Sequence, residues 1–533
     1  MSLPPAENYF REPTASTILY IHIGFMTLAW VGALPILASL TIARSNLARY
    51  ARILLLSLHA LGTVFGVAYN SKTPDLYQKS SHHSLAWVLS AIALLETISS
   101  IVRRFWRDPS PKPTFDARSE SDPLVQSSGS FQDSEESLDD NQIHRSGENY
   151  LPSLRGHRRN RTNSMSANSH SPYDFAFFSS RATTNGRHKW PFPWTKRWPK
   201  PKMISPRRFI PSTSFTSTFF VIVMITLAFT AFCTGIVTMA GIFHGNHIFN
   251  GLAHFIKGGV FFFFGVITSL RCAGCFSGFG WAWNLKASTY SPSRKWSRSI
   301  TMEGLECSLI FIYGVTNVFL EHLSGWGKAW TARDLEHVAI TLLFIGGGLC
   351  GMMVESRASW TLSNKRTPED SLTLTEKQVL IPGYSTNPIP ALIIFLLGTI
   401  LGGHHQGSTE STMMHKWFGN FLTAASITRS LTYVLLYIAP AKSQSPTRPP
   451  SEFITSFCLM AGGLTLMASN EDTIDAMIEH DLNAMEVTTV TLGITAVVMA
   501  WCLALVAVKE WAQRREDAKT VGKIWSQSEF TAA

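Results

Sequence analysis

The sequence predicts an all-α polytopic transmembrane helix bundle of about eleven spans, N-terminus outside and C-terminus inside, interrupted by a long disordered cytosolic linker. Three observations predict it. Outside one polar stretch, the 533-residue chain is a series of apolar runs of about 18–25 residues, long enough to cross the hydrocarbon of a bilayer. Those runs have almost no charged face, which excludes a large soluble protein built from amphipathic helices. The formal charge of +10 gathers in alternate loops, so membrane orientation accounts for it and nucleic acid is not an expected partner.

The first span, 17–43, follows a polar start with both acidic and basic residues, unlike the basic n-region of a cleaved signal, so it acts as a signal-anchor. Spans at 52–69 and 83–102 complete a three-helix membrane region, 1–102. A polar linker, 103–212, is rich in Ser, Arg, Asn, Asp and Pro. Too little apolar surface is available there to offset the entropy of ordering, which predicts disorder. Spans at 213–243, 247–270, 303–323, 334–354, 388–401, 415–438, 452–468 and 487–508 then form an eight-helix region, 213–508. The 388–401 run is short and reads as a tilted or partly buried helix. A cytosolic tail, 509–533, closes the chain.

Orientation follows from charge. With the N-terminus outside, the inner loops hold Arg44, Arg49, Arg52, the basic linker, Arg271, Lys286, Arg294, Lys295, Arg298, Arg357, Lys365, Arg366, Lys377, Lys442 and Arg448, and the tail adds Lys509, Arg514, Arg515, Lys519 and Lys523. The outer loops hold only Arg11, Lys72, Lys79, Lys328 and Arg333, and 470–483 is acidic without Lys or Arg. The reverse orientation contradicts the positive-inside rule at almost every loop. Localisation is therefore integral membrane, in the plasma membrane or an endomembrane. In the linker, Ser134 precedes acids and Ser164 follows Arg161; both suit a cytosolic kinase, and adaptor contacts through the linker are the companion expectation. The sequon Asn160–Thr162 is expected to be unused.

Seven cysteines without dense spacing do not make a disulfide scaffold. Cys272 and Cys275 form a lone CxxC, two ligands short of a zinc site, and read as incidental.

The histidines carry most of the chemical signal. Nearly all those outside the linker fall near the outer ends of spans, and imidazole is both costly in lipid and the commonest metal ligand. A bis-imidazole haem b needs two histidines at matching depth on facing helices. His22 and His83 meet that depth condition; His59, near mid-helix, takes His254 as a looser partner. A second set lies in the outer layer: Glu321 and His322, Asp334, Glu336 and His337, His404 and His405, and His415. That His/carboxylate composition suits a divalent metal such as Zn, Fe or Mn, with Cu an option beside Met413 and Met414. The competing explanation is structural, since caps and interface anchors also place His, Asp and Glu at helix ends. Deeper charges, Glu96, Lys257, Glu306 and Arg429, must be paired or line a cavity. Glu306 and Arg429 both project into the inner half and are expected to pair.

His22 through Trp30 with Pro35 and Arg44, Leu58-His59, and Ser81 through Trp87 resemble the core helices of cytochrome b561-type proteins. That resemblance implies haem and transmembrane electron transfer for the first hundred residues. Tyr313 through His322, Trp326 through Trp330, Asp334 through His337, Gly346 through Gly351, Asn387 through Ala391, His404 through Gln406 and Arg448 through Glu452 resemble the fungal Ytp1-like integral membrane proteins. This second resemblance implies architecture more than activity. The expected function is transmembrane redox chemistry, with His22 and His83 holding a haem below the outer His/acid layer. The alternatives are a haem-free metal-binding protein or transporter, in which Glu306, Arg429 and Lys257 line the path, and a membrane scaffold.

Overall fold

The computed structural model describes residues 8–10, 15–105, 213–245, 247–289, 300–320, 329–330, 332–364, 378–403 and 406–532. Nearly all of the expected linker, together with Ser134 and Ser164, lies outside the described residues.

The first span is α1 (Ser16–Thr27), a π turn (Leu28–Ala33) and α2 (Leu34–Ile42). The widened turn has a local cause. Pro35 has no N–H and its ring crowds the carbonyl four residues earlier, that of Val31. The released carbonyl is not wasted: Trp501 Nε1 donates to Val31 O at 3.1 Å. α3 (Ala48–Asn70) packs along α1, and α4 (Ser81–Phe105) along α5 (Thr213–Ala240). Arg52 joins α3 to α4 through a two-pronged pair with the buried Glu96, 2.8 and 2.9 Å.

α6 (His247–Cys272) and α11 (Pro450–Ala468) form the tightest helix pair. Glycine permits it. A Cβ on Gly258 would sit 2.5 Å from Gly463 O, and one on Gly463 2.5 Å from Gly258 O, so the two backbones touch. α7 (Met302–Leu320) runs antiparallel against α8 (Ala332–Asn364), with Gly348 of the glycine run pressed on Phe311. α9 (Ile389–Gly403) starts where Asn387 Oδ1 accepts from Ile389 N at 3.1 Å. It packs on α10 (Thr409–Ile438), capped by Ser408, whose hydroxyl accepts from Ser411 N at 3.1 Å. The acidic outer segment folds as a short helix, α12 (Glu471–Glu479), and α13 (Ala484–Ala532) opens with a reciprocal cap between Asn483 and Glu486 at 3.0 and 3.1 Å.

Nine helices among the described residues are long and apolar enough to cross a membrane. α9, with 15 residues, is the short span expected from sequence. Their exposed apolar side chains, such as Leu94, Ile98, Ile222 and Val497, form a surface that lipid covers. The helical expectation misses one small element, the antiparallel ribbon of β1 (Leu285–Thr289) and β2 (Gln378–Pro382), which ties two inner loops together.

Candidate functional site

The C-terminal parts of α6 and α10 and the N-terminal ends of α7 and α11, on the side that the loop charges predict to be inner, enclose five charges. Arg271 Nη2 meets Glu303 Oε1 at 2.6 Å, with side chains 1% and 0% exposed. Glu303 Oε2 also accepts from Ser385 N at 2.9 Å. Arg429 Nη1 reaches Glu306 Oε1 at 3.3 Å, the pair expected from sequence. Arg429 Nε lies 2.9 Å from Glu452 Oε1, a charge contact whose angle falls outside hydrogen-bond range, since neither atom has a hydrogen-bond partner. Arg271 Nη1 stands 3.9 Å from Glu306. The segment after α6 seals this group on the inner side: Trp283, fully buried, lays its ring under the Arg271 guanidinium at 3.7 Å and within 5.6 Å of Arg429. Asn284 holds that segment by donating to Ser277 O, Leu285 O and Gln444 O.

The sequence reading found two of these five charges. It placed Arg271 in an inner loop, whereas α6 extends to Cys272 and carries Arg271 into the core. Glu303 and Glu452 were read as polar span boundaries. Helical spacing was the available signal: Glu303 and Glu306 share one face of α7.

A cavity of about 2330 Å³ leads away from this cluster. Glu306 and Arg429 line its inner end; Tyr77, Gln406, Ser408 and Asp475 line its outer end. It exists because the α7–α8 hairpin packs on α9 and leaves a gap beside α6. Most of the wall is apolar, with Phe261, Phe264 and Phe344 among its residues.

Near the outer end, His254 and His415 meet edge to face, ring centroids 5.7 Å apart. Each bonds its Nδ1 to the carbonyl four residues earlier, Asn250 O and Ser411 O, both at 2.8 Å. A carbonyl accepts only, so each Nδ1 carries the proton and each Nε2 is the acceptor nitrogen. His337, Glu336 and Lys257 line the same cavity. Of the expected outer layer, Glu321, His322, His404 and His405 lie outside the described residues, and Asp334 is described in its backbone alone. Among the described residues no three His, Cys, Asp or Glu side chains are grouped to hold a metal ion.

The expected haem ligands are arranged differently. His22 Nδ1 donates to Gly62 O at 2.7 Å and its ring lies against Gly66. His83 is exposed, and its Nε2 accepts from Trp87 Nε1 at 3.2 Å. The neighbouring His82 is the one that packs inward, on Gly235 and Thr234 of α5, because one residue along a helix is a rotation of about 100°. His59 bonds Ser90 Oγ at 2.8 Å through Nε2, and Ser90 already donates to Ala86 O, so His59 Nε2 carries the proton. His254 has His415 beside it, not His59. A haem iron needs a free Nε2 lone pair on each axial histidine; with the Nε2 atoms of His83 and His59 so engaged, these residues do not fit a bis-imidazole haem.

Apolar helices, a lipid-facing exterior and a charged interior define a multi-pass integral membrane protein. Residues 227–510 match the family described as "Protein YTP1-like, C-terminal", and residues 5–106 match a domain of unknown function, DUF2427. The chain belongs to the YTP1-like family. It is 30% identical to the "Uncharacterized membrane protein C3B8.06" of Schizosaccharomyces pombe, covering 96% of each chain. It is 40% identical to the "Uncharacterized membrane protein YCR061W" of Saccharomyces cerevisiae over 50% of this chain and 43% of the relative. It is 23% identical to the "Protein YTP1" of Saccharomyces cerevisiae over 45% of this chain and 43% of the relative. The cytochrome b561 likeness is not shown by these comparisons. No solved structure matches the chain.

Proposed function

We propose that this protein is a transporter that moves a small cation across its membrane, with a divalent metal ion as the leading cargo. The observation that carries this reading is the single cavity that joins the His254/His415 pair to the Glu306/Arg429 pair. An imidazole whose Nδ1–H is fixed by a backbone carbonyl has the orientation that ligating histidines need. Two such imidazoles bind and release an ion, whereas a permanent site takes four ligands. Deeper in, buried charges in a membrane protein mark an ion path or a coupling device. Trp283 packs against the buried charges at the inner end, and the cavity runs from there to the His254/His415 side. With the N-terminus outside, as the loop charges favour, that side is the exoplasmic one.

The test is uptake of Zn²⁺, Mn²⁺ and Fe²⁺ into liposomes holding the full chain. Uptake above that of empty liposomes, lost in a His254→Ala/His415→Ala double variant, supports the reading. Uptake equal to empty liposomes for all three ions removes it.

A further inference from the structure

We infer that the Glu306 carboxyl holds an exchangeable proton that the cavity supplies and removes, so that cargo and proton movement are coupled at this residue. The coupling rests on the transporter reading above; the proton site does not.

The first argument is charge. Two guanidiniums, Arg271 and Arg429, face three carboxylates, Glu303, Glu306 and Glu452, all of them buried. An uncompensated negative charge in a dry interior is costly enough that the site takes up a neutralising partner. No three acids are grouped for a metal ion among the described residues, so the partner that fits is a proton.

The second argument is geometry, which selects the acid. Glu303 is held at 2.6 Å by Arg271 and at 2.9 Å by Ser385 N. Glu452 has Arg429 Nε at 2.9 Å. Glu306 has only the longer contacts, 3.3 Å to Arg429 and 3.9 Å to Arg271. It is also the one carboxylate of the three on the cavity wall. Glu306 therefore combines the longest ion-pair distances of the three with the one place on the cavity wall.

The third argument is the state of the surroundings. Buried polar atoms almost always find hydrogen-bond partners, yet Ser269 Oγ, Arg271 Nη1, Trp283 Nε1, Tyr433 OH, Ser456 Oγ and both Glu452 oxygens have none among the described residues. A network with that much unused capacity suits two charge states. The titratable and charged groups that act on Glu306 are Arg271 from α6, Glu303 and Cys307 from α7, Arg429 and Tyr433 from α10, and Glu452 from α11.

On release, the O–H bond of Glu306 breaks, the electron pair stays on the carboxylate and the proton passes to cavity water. Arg429 Nη1 is already placed to hold the anion, and the cavity gains a negative charge that attracts a cation. Uptake of the proton reverses each step.

Infrared pH-difference spectroscopy on the full chain in liposomes tests this. A protonated-carboxyl C=O band that vanishes as pH rises is expected in wild type. Glu306→Gln is expected to lose it, Glu306→Asp to shift it, and Glu471→Gln, on the outer surface, to keep it. An unchanged band in folded Glu306→Gln, or no such band in wild type, overturns the assignment. Uptake is read in the same liposomes: a Glu306 band without any cargo uptake upholds the proton site and overturns the transporter reading.

Discussion

His254 and His415 stand edge to face across the outer part of the cavity, on helices α6 and α10, which are not neighbours in sequence. Each ring is oriented by its own helix, through a carbonyl one turn back. The pair is therefore set by secondary structure, and only its meeting depends on the tertiary fold.

The first prediction concerns these two rings. His254→Ala and His415→Ala are each expected to weaken metal binding by about tenfold or more, the scale on which ligand-shell losses act. Isothermal titration of Zn²⁺ into the purified chain measures it. Circular dichroism of each variant checks that the helices remain, since the two rings also touch each other between α6 and α10. Equal affinity in wild type and both variants would show that the pair is packing and not a ligand set.

A second prediction weighs buried against exposed ion pairs. Arg271→Met leaves the buried Glu303 with one backbone donor, and breaking such a pair costs about 3–5 kcal/mol. Arg514→Met breaks a contact of 3.6 Å with Glu510 between exposed partners, which costs under about 1 kcal/mol. Thermal unfolding followed by a thiol-reactive dye should separate the two, with a large fall for the first and almost none for the second. Comparable shifts would contradict the burial argument.

How much of this was legible in the sequence depended on the kind of signal. Hydropathy located a helix at each expected span, even the short α9, because apolar length is a property of one segment, although α8 and α13 run ten residues or more past the expected ends. The Glu306–Arg429 pair was legible because unpaired charges in lipid must find each other. Glu303, Glu452 and Arg271 were not, since each stands at a helix end, where a charge is ordinary until neighbouring loops cover it. Trp283 covers them, and nothing in its local sequence announces that a loop tryptophan will be fully buried. Rotation was not legible: depth along a helix is readable, but whether His82 or His83 faces inward, and what holds Nε2, is decided by packing.

Glycine positions give a third prediction. Gly258→Val drives a side chain into the Gly463 backbone, and backbone cannot yield as a flexible side chain does. Loss of the α6–α11 contact is expected to destabilise the bundle by about 1–3 kcal/mol or more and to abolish monodisperse purification. Gly493→Ala, in α13 with open space at its Cβ, should be neutral or stabilising by up to about 1 kcal/mol through helix propensity. Size-exclusion profiles and melting curves of the two variants check both. A well-folded Gly258→Val protein would mean that the two helices do not approach this closely.

The last prediction concerns orientation, on which the direction of transport depends. Loop charges put the N-terminus outside, and every inner loop then carries several Lys or Arg. The same assignment puts the α12 turn outside and residue 164 inside. His480 is exposed at the end of α12, so His480→Cys should react with a membrane-impermeant maleimide on intact cells. Ser164→Cys should react only after permeabilisation. The wild-type cysteines set the background, and of those described four are buried, two intermediate and one, Cys350, exposed within α8, where lipid covers it. Labelling of both positions from the same side would break the odd count of crossings between them, and with it the exoplasmic entrance assigned to the cavity.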